Sequence, residues 1–167
     1  MGGYEHEDLN TTEFVYTDKE SAPGPTLDFI IAHHCMAMLN DNAIYIIGGK
    51  QDGEISNQVW IADPTNGFEI KKGPSLNEGR YFMSCGVYQD SGVKKIVVAG
   101  GINTFKNDTD TVEILDPSSS NTWEFGKNFC FTETLIGTSF IFFMPNQFLF
   151  HRWRCLSYLL PIHYLLI

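Results

Sequence analysis

Positive charge is scarce through most of this chain: residues 1–126 carry 8 Lys and Arg against 19 Asp and Glu, and the whole sequence has a formal charge of −9. A nucleic-acid partner recruits Lys and Arg to its phosphates, and no basic stripe occurs, so nucleic acid is excluded as a partner class. An acidic surface keeps a protein soluble and admits a basic peptide. Cysteine is present four times but never as Cys-x-x-Cys, so the thiols declare no compartment. The chain as given opens without a basic stretch leading into an apolar core. The expectation is therefore a cytoplasmic protein, with an extracellular one as the alternative if this N-terminus is truncated.

Catalytic signatures are missing too. The sequence holds no phosphate-binding loop, nucleophile elbow or His-Glu-x-x-His. His33-His34 is the most tempting metal signal, but neighbours on a strand point to opposite faces and do not share an ion. Glu5/Glu7 and Asp108/Asp110 lie in polar loops and read as solvated acids. No catalytic residue, metal ligand or cofactor is assigned. Asn10-Thr11-Thr12 and Asn107-Asp108-Thr109 match the glycosylation acceptor pattern at the frequency that this composition gives by chance.

What the chain does have is a repeat. Ile44-Tyr45-Ile46-Ile47-Gly48-Gly49 returns as Lys95-Ile96-Val97-Val98-Ala99-Gly100-Gly101, an apolar run closed by two glycines, and Gly2-Gly3 opens the chain in mid-unit. The spacings agree: Gly3 to Gly49 is 46 residues, Gly49 to Gly101 is 52, Pro25 to Pro74 is 49, Cys35 to Cys85 is 50 and Asp63 to Asp116 is 53. The unit reads apolar strand, Gly-Gly, polar loop, β-type run, Asp-Pro, an aromatic, then Gly-Pro-Ser/Thr-Leu, and only the second unit carries every feature. Glycine permits positive φ and close backbone approach, Asp-Pro makes a turn, and Trp123 and Phe68 are expected to pack between sheets. Cys35 and Cys85, at matching positions, read as small buried thiols.

Over roughly residues 2–126 this pattern resembles the kelch repeat, a blade of β-propellers. Gly48-Gly49 is followed by Val59-Trp60-Ile61, Asp63-Pro64 and Phe68, and Gly100-Gly101 by Val112-Glu113-Ile114-Leu115, Asp116-Pro117 and Trp123. The first unit is weaker, with Glu13-Phe14-Val15-Tyr16 in the strand position. The resemblance implies an all-β fold of consecutive four-stranded antiparallel blades, in units of about 1–33, 34–80 and 81–126. A closed ring of such blades needs about 200 residues or more, so 167 residues make an incomplete array.

The same resemblance implies a non-catalytic module that binds a partner protein or peptide through its loops. Ubiquitin-ligase substrates and cytoskeletal proteins are the partner classes it suggests. It implies that the residue after the double glycine (Tyr4, Lys50, Ile102) and one in the loop entering the next blade (His34, Phe82) face the binding end. The alternatives are a galactose-oxidase-like enzyme, whose copper site would need ligands that this chain does not group, or a secreted or cell-surface recognition domain.

Residues 127–167 break the pattern. They carry 10 aromatics against 13 in the preceding 126 residues, no Gly-Gly, and none of the alternation a closing strand needs. They read as sequence foreign to the propeller, as translation past a splice boundary would give. The alternative is a membrane or interfacial segment, from the uncharged run 134–151, which Pro145-Asn146-Gln147 interrupts.

Overall fold

The computed structural model describes residues 3–5, 7–126, 140–144 and 147–151, with side chains over 10–126. Gly2 and most of the tail lie outside the described residues. The described residues are all-β, with antiparallel sheets of two to four strands and no helix. None of these sheets closes on itself.

Two four-stranded sheets dominate. The first is built from β1 (Cys35–Asn40), β2 (Ala43–Ile47), β3 (Val59–Asp63) and β4 (Glu69–Lys72), hydrogen-bonded in chain order. The second follows the same order with β5 (Ser84–Asp90), β6 (Val93–Ala99), β7 (Val112–Leu115) and β8 (Trp123–Phe125). The two apolar runs ahead of the glycine pairs are β2 and β6, each flanked on both sides by strands. Tyr45, Ile46 and Ile47 are all buried, as are Ile96, Val97, Val98 and Ala99. A run with both faces covered needs no polar alternation, which is why these strands read as unbroken hydrophobic stretches. β1 has one covered face and alternates: Ala37 and Leu39 are buried while Met36 and Met38 are exposed.

Because β8 closes the second sheet, that sheet is complete without residues beyond 126. Of the tail, Phe140–Met144 pairs antiparallel with Gln147–His151, and the first of these strands approaches β5. No described helix is long and apolar enough to cross a membrane. Among the described residues the first unit contributes two hairpins and the strand Ile31–Ala32, which pairs with Lys50–Gln51 of the next unit. Gly3–Glu5 pairs with Glu7–Leu9, and Glu13–Phe14 with Ala22–Pro23, while Val15 and Tyr16 fall outside the strand and are exposed.

The double glycines do the work their sequence position suggests. Gly48, Gly49, Gly100 and Gly101 all have positive φ. A Cβ on Gly49 would lie 2.6 Å from the Ala32 carbonyl oxygen, and one on Gly101 would lie 2.6 Å from that of Tyr81, so the turn excludes any side chain. The Asp-Pro turns also form as expected. Asp63 accepts from the Thr65 N–H and hydroxyl, and Asp116 from those of Ser118. These hydroxyl bonds hold both carboxyls below their ordinary pKa.

Two expectations are corrected. Cys35 and Cys85 are not thiols at equivalent positions; they form a disulfide between the sheets. Cys35 pairs with Ile47, immediately before the double glycine, whereas Cys85 pairs with Val98, one position further back. A one-residue offset reverses the face to which a strand residue points, so the two sulfurs meet across the junction. Phe68 is not the counterpart of Trp123 either. Ala62 pairs with Ile70, and Leu115 with Trp123, at the same register, so Ile70 occupies Trp123's place. Phe68 has φ 60 and corresponds to Asn121, φ 51, while its ring packs against Phe14 at 5.0 Å.

The main core lies between the sheets. Ala37, Leu39, Tyr45, Ile47 and Val59 meet Ile96, Val98, Leu115 and Trp123, with Leu76 and Met83 from the link between them. Trp123 is 4% exposed, and its indole N–H donates to the Pro74 carbonyl at 2.8 Å. Trp123→Ala removes the largest side chain of this core, and a loss of about 3–5 kcal/mol is expected, read as a lowered urea midpoint. An unchanged midpoint would mean that the sheets do not depend on this contact.

Candidate functional site

Two links carry the chain from one unit into the next, residues 24–33 and 73–82. The second shows how they work. Its backbone bonds to the unit it leaves: Gly73 N–H to Val59 O, Leu76 N–H to Asn57 O, Arg80 N–H to Ser56 O, and Arg80 O from the Gly49 N–H. Its side chains reach the unit it enters. Asn77 donates to Glu113 and to the Trp123 carbonyl, and Arg80 bonds to Gly100 O, Thr111 O, the Thr111 hydroxyl and Glu113.

Arg80 and Glu113 are both fully buried and lie 3.0 Å apart. Such a pair survives burial only when its remaining donors and acceptors are also met. Here they are: Glu113 also accepts from the Asn77 and Glu78 N–H groups, and Glu78 adds a second carboxylate 3.1 Å from the guanidinium. Burial pulls the Arg80 pKa down while Glu113 and Glu78 pull it back up; a guanidinium stays charged throughout.

Each link ends on a residue in the left-handed region, His33 (φ 56) and Phe82 (φ 57), a conformation that costs energy for such side chains. Before each lies a two-residue strand that pairs with the start of the loop after the double glycine: Ala32 opposite Lys50, and Tyr81 opposite Ile102. The left-handed turn brings side chains of successive units together. The rings of His33 and Phe82 are 4.2 Å apart, those of Phe82 and Tyr81 are 4.9 Å apart, and the Lys50 ammonium lies 4.8 Å from the Tyr81 ring centre. The Phe82 N–H donates to His33 O across the same gap. All four residues are half-buried. Exposed acids stand in the adjoining loops at Asp52, Glu54, Asp108 and Asp110.

Of the residues picked from sequence, Lys50 and Phe82 fall in this cluster. Ile102 is half-buried and takes part through its backbone pairing with Tyr81. By register the counterpart of Phe82 is His33, and His34 lies against Gly49, where a glycine Cβ would come within 2.8 Å of its Cβ. Tyr4 belongs to the strand Gly3–Glu5. His33 has a left-handed backbone and neither it nor His34 lies in a strand, so strand alternation does not apply to the pair. Among the described residues no three His, Cys, Asp or Glu side chains gather as metal ligands. Sequence comparison missed His33, Tyr81, Arg80 and Glu113. It highlights what recurs, whereas Arg80 corresponds to Ile31 and Glu113 to Trp60.

The family model described as the Kelch motif matches residues 94–129. The third unit is therefore a kelch motif, entered at the strand before the double glycine, and the second unit repeats its four strands in register, so the array is a partial one of kelch type. No curated protein matches the chain.

Arg80→Ala strands the buried Glu113 carboxylate, and a loss of about 3–5 kcal/mol is expected. Chemical denaturation checks this: a midpoint like wild type would show that the pair contributes nothing to holding the link.

Proposed function

We propose that this chain is part of a kelch-type β-propeller and acts as a non-catalytic protein-interaction module, docking a peptide of a partner protein across the loop face at the double-glycine end. The observation that carries the reading is the cluster of His33, Phe82, Tyr81 and Lys50, assembled from two units on matching left-handed residues. Strained backbone that presents aromatic side chains beside loops, on a rigid sheet, is an arrangement suited to recognition. The kelch motif supports the class, since repeats of this type mediate protein contacts. Aromatic rings and a cation bind peptide side chains by packing and cation–π attraction. The surrounding carboxylates favour a basic peptide.

A displayed random-peptide library tests this. Peptides enriched on the wild-type chain should be rich in Lys and Arg, and Phe82→Ala should weaken them about thirtyfold, the loss typical of an aromatic anchor. Enrichment that is indifferent to Phe82→Ala and Lys50→Ala would place recognition elsewhere.

A second reading concerns the compartment. The Cys35–Cys85 bond favours a secreted or cell-surface protein over a cytoplasmic one, because structural disulfides persist in oxidising compartments. Alkylation of the chain in freshly lysed cells, followed by mass spectrometry, should find these two sulfurs unlabelled. Full labelling of both would favour the cytoplasm.

A further inference from the structure

The third unit has an apolar face that is buried although no fourth unit stands beside it. Alternate residues of each four-stranded sheet turn toward the following unit, and strand register matches them: Tyr45, Ile47 and Val59 in the second unit correspond to Val97, Ala99 and Val112 in the third. The first three are buried because the third unit packs on them. Val97, Ala99 and Val112 form a separate cluster with Tyr88 and Ile114, and each of the three is at most 6% exposed, although residues up to 126 supply no further sheet. An apolar sheet face reaches such burial under a second layer. On the opposite outer face, turned to the first unit, Met36 and Met38 are left exposed.

The tail hairpin offers that layer. Phe140–Met144 approaches β5 as β5 approaches β1, so the first strands of successive units are continued by a third. The hairpins match as well: Met144 lies opposite Gln147 with two residues between, as Asn40 lies opposite Ala43 and Asp90 opposite Val93. Phe140 begins its strand 56 residues after Ser84, against 49 from Cys35 to Ser84. Eight of the ten residues in the two tail strands are apolar, and a two-stranded hairpin is marginal in water unless it packs against something. We propose that the hairpin 140–151 takes the place of the first two strands of a fourth unit and covers the outer face of the third. The kelch pattern is not required for this role. Gly-Gly and Asp-Pro serve the turns of a complete unit, whereas repeat stacks are capped by segments whose sequence departs from the repeat. The inference does not rest on peptide docking at the loop face.

The test nitrates the tyrosines of the purified full chain with tetranitromethane and locates the products by mass spectrometry. Tyr88 belongs to the covered cluster, Tyr45 to the core between the sheets, and Tyr16 is exposed. In the wild-type chain Tyr88 should react more slowly than Tyr16. Two variants disturb the hairpin by different means: Phe142→Pro with Phe143→Pro breaks its pairing, and Phe142→Asp with Phe143→Asp puts a carboxylate on each side of the strand. Each should raise the Tyr88 rate about tenfold, as a local opening does, and leave Tyr45 protected. Wild-type Tyr88 as reactive as Tyr16, or a Tyr88 rate unchanged in both variants, overturns the proposal. So does a rise at Tyr45 equal to that at Tyr88, which would make the hairpin part of the core between the sheets. Protection of Tyr88 that fades when the wild-type chain is diluted would also overturn it, giving the face to a second copy.

Discussion

The structure depends on a link that serves two units at once. Residues 73–82 bond through their backbone to both units, to Val59, Asn57, Ser56 and Gly49 in the one they leave and to Glu113 and Trp123 in the one they enter, and send the side chains of Asn77 and Arg80 into the latter. A peptide group buried without a partner costs as much as a lost hydrogen bond, so this segment cannot sit between two sheets unless both sides accept it. The first link repeats the backbone bonds to the unit it leaves in register: Gly24 N–H bonds to Thr12 O, and Leu27 N–H to Asn10 O. Asn10 and Asn57 then each return a side-chain bond, to Leu27 O and Leu76 O.

The side-chain half is free to change chemistry. At the second link it is ionic, with Arg80, Glu113 and Glu78. At the first it is apolar, with Ile31 at Arg80's position, Phe29 at Glu78's, and Trp60 at Glu113's, packed with Leu27, Ile46 and Ala62. A buried ion pair gains little over hydrophobic residues of similar volume once desolvation is counted. The two solutions are therefore near-equivalent ways to seat the same backbone. The loop face adds to this: His33 and Phe82 are brought together because both links end in the same left-handed turn.

Much of this was legible in the sequence. Paired glycines, apolar runs and Asp-Pro turns are each tied to a backbone conformation that few residues adopt, and conformations recur with the repeat. Side chains that exchange between units left no such trace. Arg80 and Glu113 do not recur, and the match of Phe68 to Trp123 followed the aromatic character rather than the strand register. The disulfide was hidden for a related reason, since a spacing close to the repeat concealed an offset of one residue, and that offset decides which face a strand residue occupies. The left-handed state of His33 and Phe82 belongs to the assembled link and has no signature in residue type.

Coupling through the link is measured most directly by perturbing one unit and reading the other. Glu113→Gln removes a charge in the third unit, while the Gly49 N–H, which donates to Arg80 O at 2.8 Å, reports from the second. Native-state hydrogen exchange should show the Gly49 amide losing about tenfold in protection alongside amides of β6 and β7, as expected of one cooperative element. Protection of Gly49 that stays at the wild-type level while β6 and β7 lose theirs would contradict a link that holds both units together.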